Sequence, residues 1–205
     1  MATRVLDIGS RFNNAFGFVG ESGGNTEQTE FEDTLHGGQV YVKDGRSSYE
    51  NFTIKGNGVT LQFAYGGLTE NIADIFAPPA LCNFKAGKRI GQTICTSNDD
   101  QGKEVTYGEV VENYGRKPVE ITIRGLLIDM KNHEYPSDKV KQLTEMFDWN
   151  GPWEVEGQIW RDKKIQTIYF IDMDDGPVQG FMDTWQFTIS ASSLKPVEYF
   201  LKKNK

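Results

Sequence analysis

The chain has 205 residues, 38% of them apolar, enough to bury one good core or one core with a smaller lobe. Its formal charge of −7 argues against sequence-specific nucleic-acid binding, which draws its affinity from clustered Lys and Arg that release counterions. No apolar run approaches the roughly 18 residues that span a bilayer, and Met1 to Ser10 lacks the basic start and apolar core of a signal peptide. Synthesis in the cytoplasm without a membrane partner is therefore expected. Cys82 and Cys95 are too few for a disulfide scaffold and too far apart for CxxC redox chemistry, so both are read as free thiols.

In chain order, Gly9 to Gly38 is rich in Gly, Asn, Ser, Thr and Glu with scattered Phe12, Phe16, Phe18 and Phe31. This predicts an irregular arm with aromatic anchors that needs a partner surface. Gln39 to Lys43, Asn51 to Lys55 and Val59 to Ala64 are short strand candidates. Asp44-Gly45 and Asn57-Gly58 between them supply the positive φ of tight turns, predicting a small meander. Ile72, Ile75 and Phe76 recur at helical spacing within Leu68 to Phe84, ahead of Pro78-Pro79. A short helix and a boundary follow, dividing the chain into residues 1–79, an arm with a meander, and 80–205, an α+β domain.

Ala80 to Gly102 predicts one or two strands around Ile90 and Ile94, ending in the polar loop Ser97 to Gly102. Val119, Ile121 and Ile123 alternate with polar residues as in a half-buried strand. The apolar phase shifts to Leu126 and Ile128 after Gly125, which predicts a bulge. Pro136 suits a first helical turn, and Val140, Leu143 and Phe147 make one stripe that must pack on a sheet. Trp153, Val155 and Ile159 alternate next. Ile165 to Ile171, apolar on both faces, predicts a central strand, and Trp185, Phe187, Ile189 and Ala191 point inward from another. The fold class expected is α+β. It is predominantly antiparallel sheet, sandwich- or barrel-like, with one main packed helix and an irregular N-terminal arm.

Candidate chemistry is sparse. Gly20-Glu21-Ser22-Gly23-Gly24 matches the GxSxG elbow of α/β-hydrolases, but no apolar strand precedes it and no apolar helix follows. Asp172, Asp174, Asp175 and Gly176 hint at a calcium loop, yet the register is wrong for an EF-hand, and an acidic hairpin turn is the plainer reading. His36 and His133 lack HExxH or CxxC companions and are read as surface histidines rather than zinc ligands. No carboxylate pair stands out for glycoside hydrolysis. Trp153 and Trp185 fall on inward phases, whereas Trp149 and Trp160 flank a turn and a strand end, where a rim or interface role fits. No catalytic residue, cofactor or metal site is assigned.

An ordered string runs through Gly108-Glu109-Val110-Val111-Glu112, Glu120 to Ile128, Glu134-Tyr135-Pro136, Val140 with Leu143, Gln179-Gly180-Phe181, Phe187 and Ser190-Ala191-Ser192. It resembles an uncharacterised family encoded in the tail modules of phages and prophages, over roughly Ala80 to Tyr199, with the lead-in to the core strand altered by an Asn113 to Lys117 loop. The resemblance implies a structural component of a phage tail near the tube and baseplate, with no catalytic residues to transfer. It also implies other tail proteins as partners, a homo-oligomeric ring, a place in the virion tail, and a lumen through which DNA could pass beside an acidic lining. Phe12, Phe16 and Phe18, with Trp149 and Trp160, are the expected interface residues. The alternative is a tail-associated carbohydrate or cell-wall binding module using the tryptophans, and a wall-degrading enzyme ranks last.

Overall fold

The computed structural model describes residues 3–17, 27–33, 38–44, 51–64, 75–76, 78–98, 100–129 and 132–194. In chain order the elements are β1 (Thr3–Asp7), α1 (Ile8–Phe16), β2 (Glu27–Asp33), β3 (Gly38–Asp44), β4 (Phe52–Gly56), β5 (Val59–Phe63), β6 (Ile75–Phe76) and β7 (Leu81–Lys85). They continue with β8 (Lys88–Asn98), β9 (Glu104–Arg116), β10 (Glu120–Ile128), α2 (Ser137–Asp148), β11 (Trp153–Gly157), α3 (Gln158–Lys163), β12 (Thr167–Pro177) and β13 (Thr184–Leu194). Among the described residues these form three sheets: β1-β3-β2, an eight-stranded β6-β5-β4-β11-β12-β13-β10-β7, and a separate two-stranded ribbon β8-β9.

The eight-stranded sheet is antiparallel apart from the β5–β6 pair. Asn57 and Gly58 have φ of 50° and 73°, the left-handed values that a two-residue hairpin turn demands, and they fold β4 onto β5. Alternation then gives β4, β5 and β11 one buried face each. Phe52 and Ile54, Leu61 and Phe63, Ile121 and Ile123, Trp153 and Val155, and Phe187, Ile189 and Ala191 all enter one core, with Leu143 and Met146 of α2. The sheet curls on itself: the Phe63 and Phe187 rings meet at 6.2 Å although their strands are distant in the sheet order, and β6 lies against β10. An α+β fold dominated by a curled antiparallel sheet is what the alternation predicts.

Several expectations change. The short helix expected ahead of Pro78-Pro79 gives way to strand where it is described, at β6, because sheet pairing with β5 outweighs the local helical spacing. The strand of the expected meander at Gln39 to Lys43 joins β1 and β2 instead of β4. The division expected at 79/80 runs between strands of one hydrogen-bonded sheet, since β4 pairs with β11. Ile159 leaves its strand for α3. Within Gly9 to Gly38, Gly9 to Phe16 belongs to helix α1 and Glu27 to Asp33 to strand β2. The run Asn113 to Arg116, expected as a loop, is the end of β9.

The bulge expected at Gly125 is absent, for β10 pairs with β13 in unbroken register from Glu120 to Ile128. The phase shift has a different cause. Leu126 and Ile128 bury the opposite face of the strand, beneath Ile8 and Phe12 of α1 and beside Val178. The irregularity lies in β12 instead, between Phe170 and Asp172. Gly125 has another role, because a Cβ there would enter the Phe187 ring and stand 3.1 Å from the Ala80 side chain. Gly125→Ala should therefore lower stability by about 1–3 kcal/mol through overpacking. The control Gly108→Ala, where a Cβ meets nothing within 4 Å, should leave the urea midpoint within error.

Candidate interaction surface

Strands β8 and β9 have 11 and 13 residues, so at ~3.3 Å per residue the ribbon is about 36 Å long or more. Among the described residues it pairs with no other strand, and nearly all its described side chains are exposed. Its base is closed by Lys117 N–H donating to Gly87 O at 2.9 Å and by the exposed Lys85–Glu120 ion pair, also 2.9 Å.

Cross-strand partners share a face of a ribbon. One face carries Ile90, Gln92 and Ile94 opposite Asn113, Val111 and Glu109. The other carries Gly91, Thr93 and Cys95 opposite Glu112, Val110 and Gly108. Tyr114 lies over Gly91, where a Cβ would come within 2.7 Å of its ring, and its hydroxyl donates to Glu112. That carboxylate holds the Tyr114 hydroxyl above its usual range, with a lesser push from burial. Ile94 and Tyr114 are 64% and 65% exposed, and Ile90, Val110 and Val111 are bare as well. A two-stranded hairpin is marginal in water by itself, and apolar side chains exposed in a cluster mark an interaction surface.

The residues expected at interfaces fall elsewhere. Phe12 is 3% exposed and packs within its own chain against Ile8, Leu126 and Ile128, with the Phe16 ring 5.7 Å away. Phe18 lies outside the described residues, as do His36 and the Gly20 to Gly24 motif. Trp160 is wholly buried, because α3 turns it under the sheet between Phe52 at 5.6 Å and Phe84 at 5.0 Å. Trp149 is half-buried and stands edge-on to Trp153 at 4.7 Å. Gly56 leaves room for both indoles: a Cβ there would be 2.5 Å from Trp153 and 2.7 Å from Trp149.

The acidic run is strand rather than turn. Asp172, Asp174 and Asp175 all lie in β12, and Asp175 Oδ2 accepts a 2.6 Å hydrogen bond from Trp185 Nε1. Among the described residues no three His, Cys, Asp or Glu side chains converge as a metal site would require. Neither Cys82 nor Cys95 is in a disulfide.

One polar cluster has no counterpart in the sequence reading. Arg11 of α1 reaches Asp183 with Nη1 to Oδ1 at 2.5 Å and Nη2 to Oδ2 at 3.1 Å, and it also donates to Thr184 Oγ1. Its guanidinium lies 4.6 Å from the Phe181 ring centroid, and His133 Nδ1 is 3.4 Å from Asp183 Oδ2. Burial raises the Asp183 carboxyl, but the hydrogen bond and charge of Arg11, with hydrogen bonds from Thr184 and His133, together outweigh it and hold the group below its usual range. Helical spacing of Ile8, Phe12, Ala15 and Phe16 was the available signal for α1. Nothing local marks Arg11 as paired to a residue 172 positions away.

A family model described as "Domain of unknown function (DUF6046)" matches residues 75–204. The chain belongs to the DUF6046 family. The DUF6046 span opens at β6 and takes in the ribbon, α2 and β10 to β13, so Asp183 lies inside it and Arg11 outside. No curated protein matches the chain. Among solved structures, a chain titled "Virion of native gene transfer agent (GTA) particle" is 9% identical and has a TM-score of 0.34, over 73% of this chain and 95% of that one. A likeness of that size does not establish a shared fold.

Proposed function

We propose that this DUF6046 protein is a structural component of a bacteriophage tail, in the tube or baseplate region. It assembles with itself and with neighbouring tail proteins into a ring, and it works by contact rather than catalysis. The observation that carries this reading is the β8–β9 ribbon, which holds Ile90, Ile94, Val110, Val111 and Tyr114 out in solvent on a two-stranded support. Burying such a surface gains roughly 25 cal/mol per Å² of apolar area, and a repeated chain that offers it to its neighbour closes a ring or builds a tube. The ordered string that resembles phage tail modules, much of which falls in β9, β10 and β13, supports the same reading.

Electron microscopy of the purified protein, and of particles produced with it, tests this. Closed rings of uniform size, and the chain's presence in the tails of purified particles, are expected. A monomer at every concentration that is also absent from particles would end the reading.

A further inference from the structure

The outer face of the main sheet carries a second bare apolar group. Tyr169, Ile171 and Leu194 are exposed, Ile171 at 58%. The pairings Thr167 with Leu194 and Tyr169 with Ser192 put Tyr169 and Leu194 on neighbouring strands, and Ile171 stands at the β12 irregularity two residues beyond Tyr169. Exposed carboxylates border the group: Glu154 pairs with Thr167 across to β11, and Asp172 and Asp174 continue along β12. The ribbon has the opposite charge at its root. Its apolar row Ile90, Ile94 and Val111 lies beyond a root with exposed Lys88, Arg89, Arg116 and Lys117.

We infer that the ribbon of one copy docks on the β12–β13 outer face of the next. Its Ile90, Ile94 and Val111 face would cover Tyr169, Ile171 and Leu194, and its basic root would lie against Asp172 and Asp174. Both surfaces are apolar at their centre, and the basic root of the ribbon opposes the β12 carboxylates in charge, which favours one register. They are different patches of the same chain, so the contact is head-to-tail and leaves each copy one donor and one acceptor. The chain's own ribbon does not fill the site, since both partners of the contact are bare in a single copy. This docking rests on the self-assembly proposed above.

The test uses the full chain in sedimentation velocity. Ile94→Glu and Ile171→Asp, both at exposed positions, should each lower self-association at least tenfold with unchanged circular dichroism. Mixing the two variants should give dimers and nothing larger, because one intact donor then meets one intact acceptor. As a second arm, Lys88→Glu with Arg116→Glu should weaken assembly, and adding Asp172→Lys with Asp174→Lys in the same chain should restore it. Wild type that assembles while Ile171→Asp assembles equally well would overturn the docking alone. Wild type that never assembles would overturn the docking and the self-assembly with it.

Discussion

Arg11→Met should cost about 3–5 kcal/mol of the free energy that holds α1 on the body, because it leaves the Asp183 carboxylate buried without its cation. Asp183 and Arg11 side chains are only 11% and 10% exposed, so solvent cannot take over the lost partner. Amide exchange across Ile8 to Phe16 should speed up accordingly at neutral pH. The double variant Arg11→Met with Asp183→Leu should recover much of the loss, since an apolar pair removes the stranded charge. If exchange in α1 is unchanged in Arg11→Met, then Ile8 and Phe12 hold the helix by themselves.

The same pair sets a pH dependence of definite sign. Asp183 has its folded-state carboxyl depressed, so its stabilisation is complete above the ordinary carboxylate range and fades as pH falls below about 4 through the folded value. In Arg11→Met the main depressing group is gone while burial still pushes the carboxyl up, so protonation relieves that variant. The stability gap between wild type and Arg11→Met should therefore be widest near neutrality and narrow in acid. Paired urea titrations at pH 7 and pH 3.5 would measure it.

Excising the ribbon should separate folding from assembly. Replacing residues 88–116 by a short Gly-containing turn between Gly87 and Lys117, which already meet through a 2.9 Å backbone hydrogen bond, removes no strand of the eight-stranded sheet. The unfolding free energy should stay within about 0.5 kcal/mol of wild type, as for surface changes that touch no core, while the assembled species disappear. A collapse of stability on excision would mean that the ribbon belongs to the body's core. Persistent rings would move the self-contact to another surface.

The contrast between these two sites follows how each is encoded. A strand with one buried face must alternate, so β13 could be read from Phe187, Ile189 and Ala191, and α2 from Pro136 and its apolar stripe. Strand β9 escaped because neither of its faces is buried in a single copy, so adjacent Val110 and Val111 need obey no period. Trp160 departs from its expected rim position for a related reason, since a six-residue helix after β11 turns it inward and so short an element leaves little periodic trace.

By itself, then, the sequence determined the alternation of the core strands, the start of α2, the Asn57-Gly58 turn and the sheet-dominated α+β class. Each depends on a residue and its near neighbours, through side-chain period or allowed φ. Tertiary structure alone decided that β10 buries both faces after Gly125, that Arg11 meets Asp183, and that the ribbon and the β12 outer face stay bare. Those outcomes depend on which distant surfaces come together, and no local pattern of residues records that.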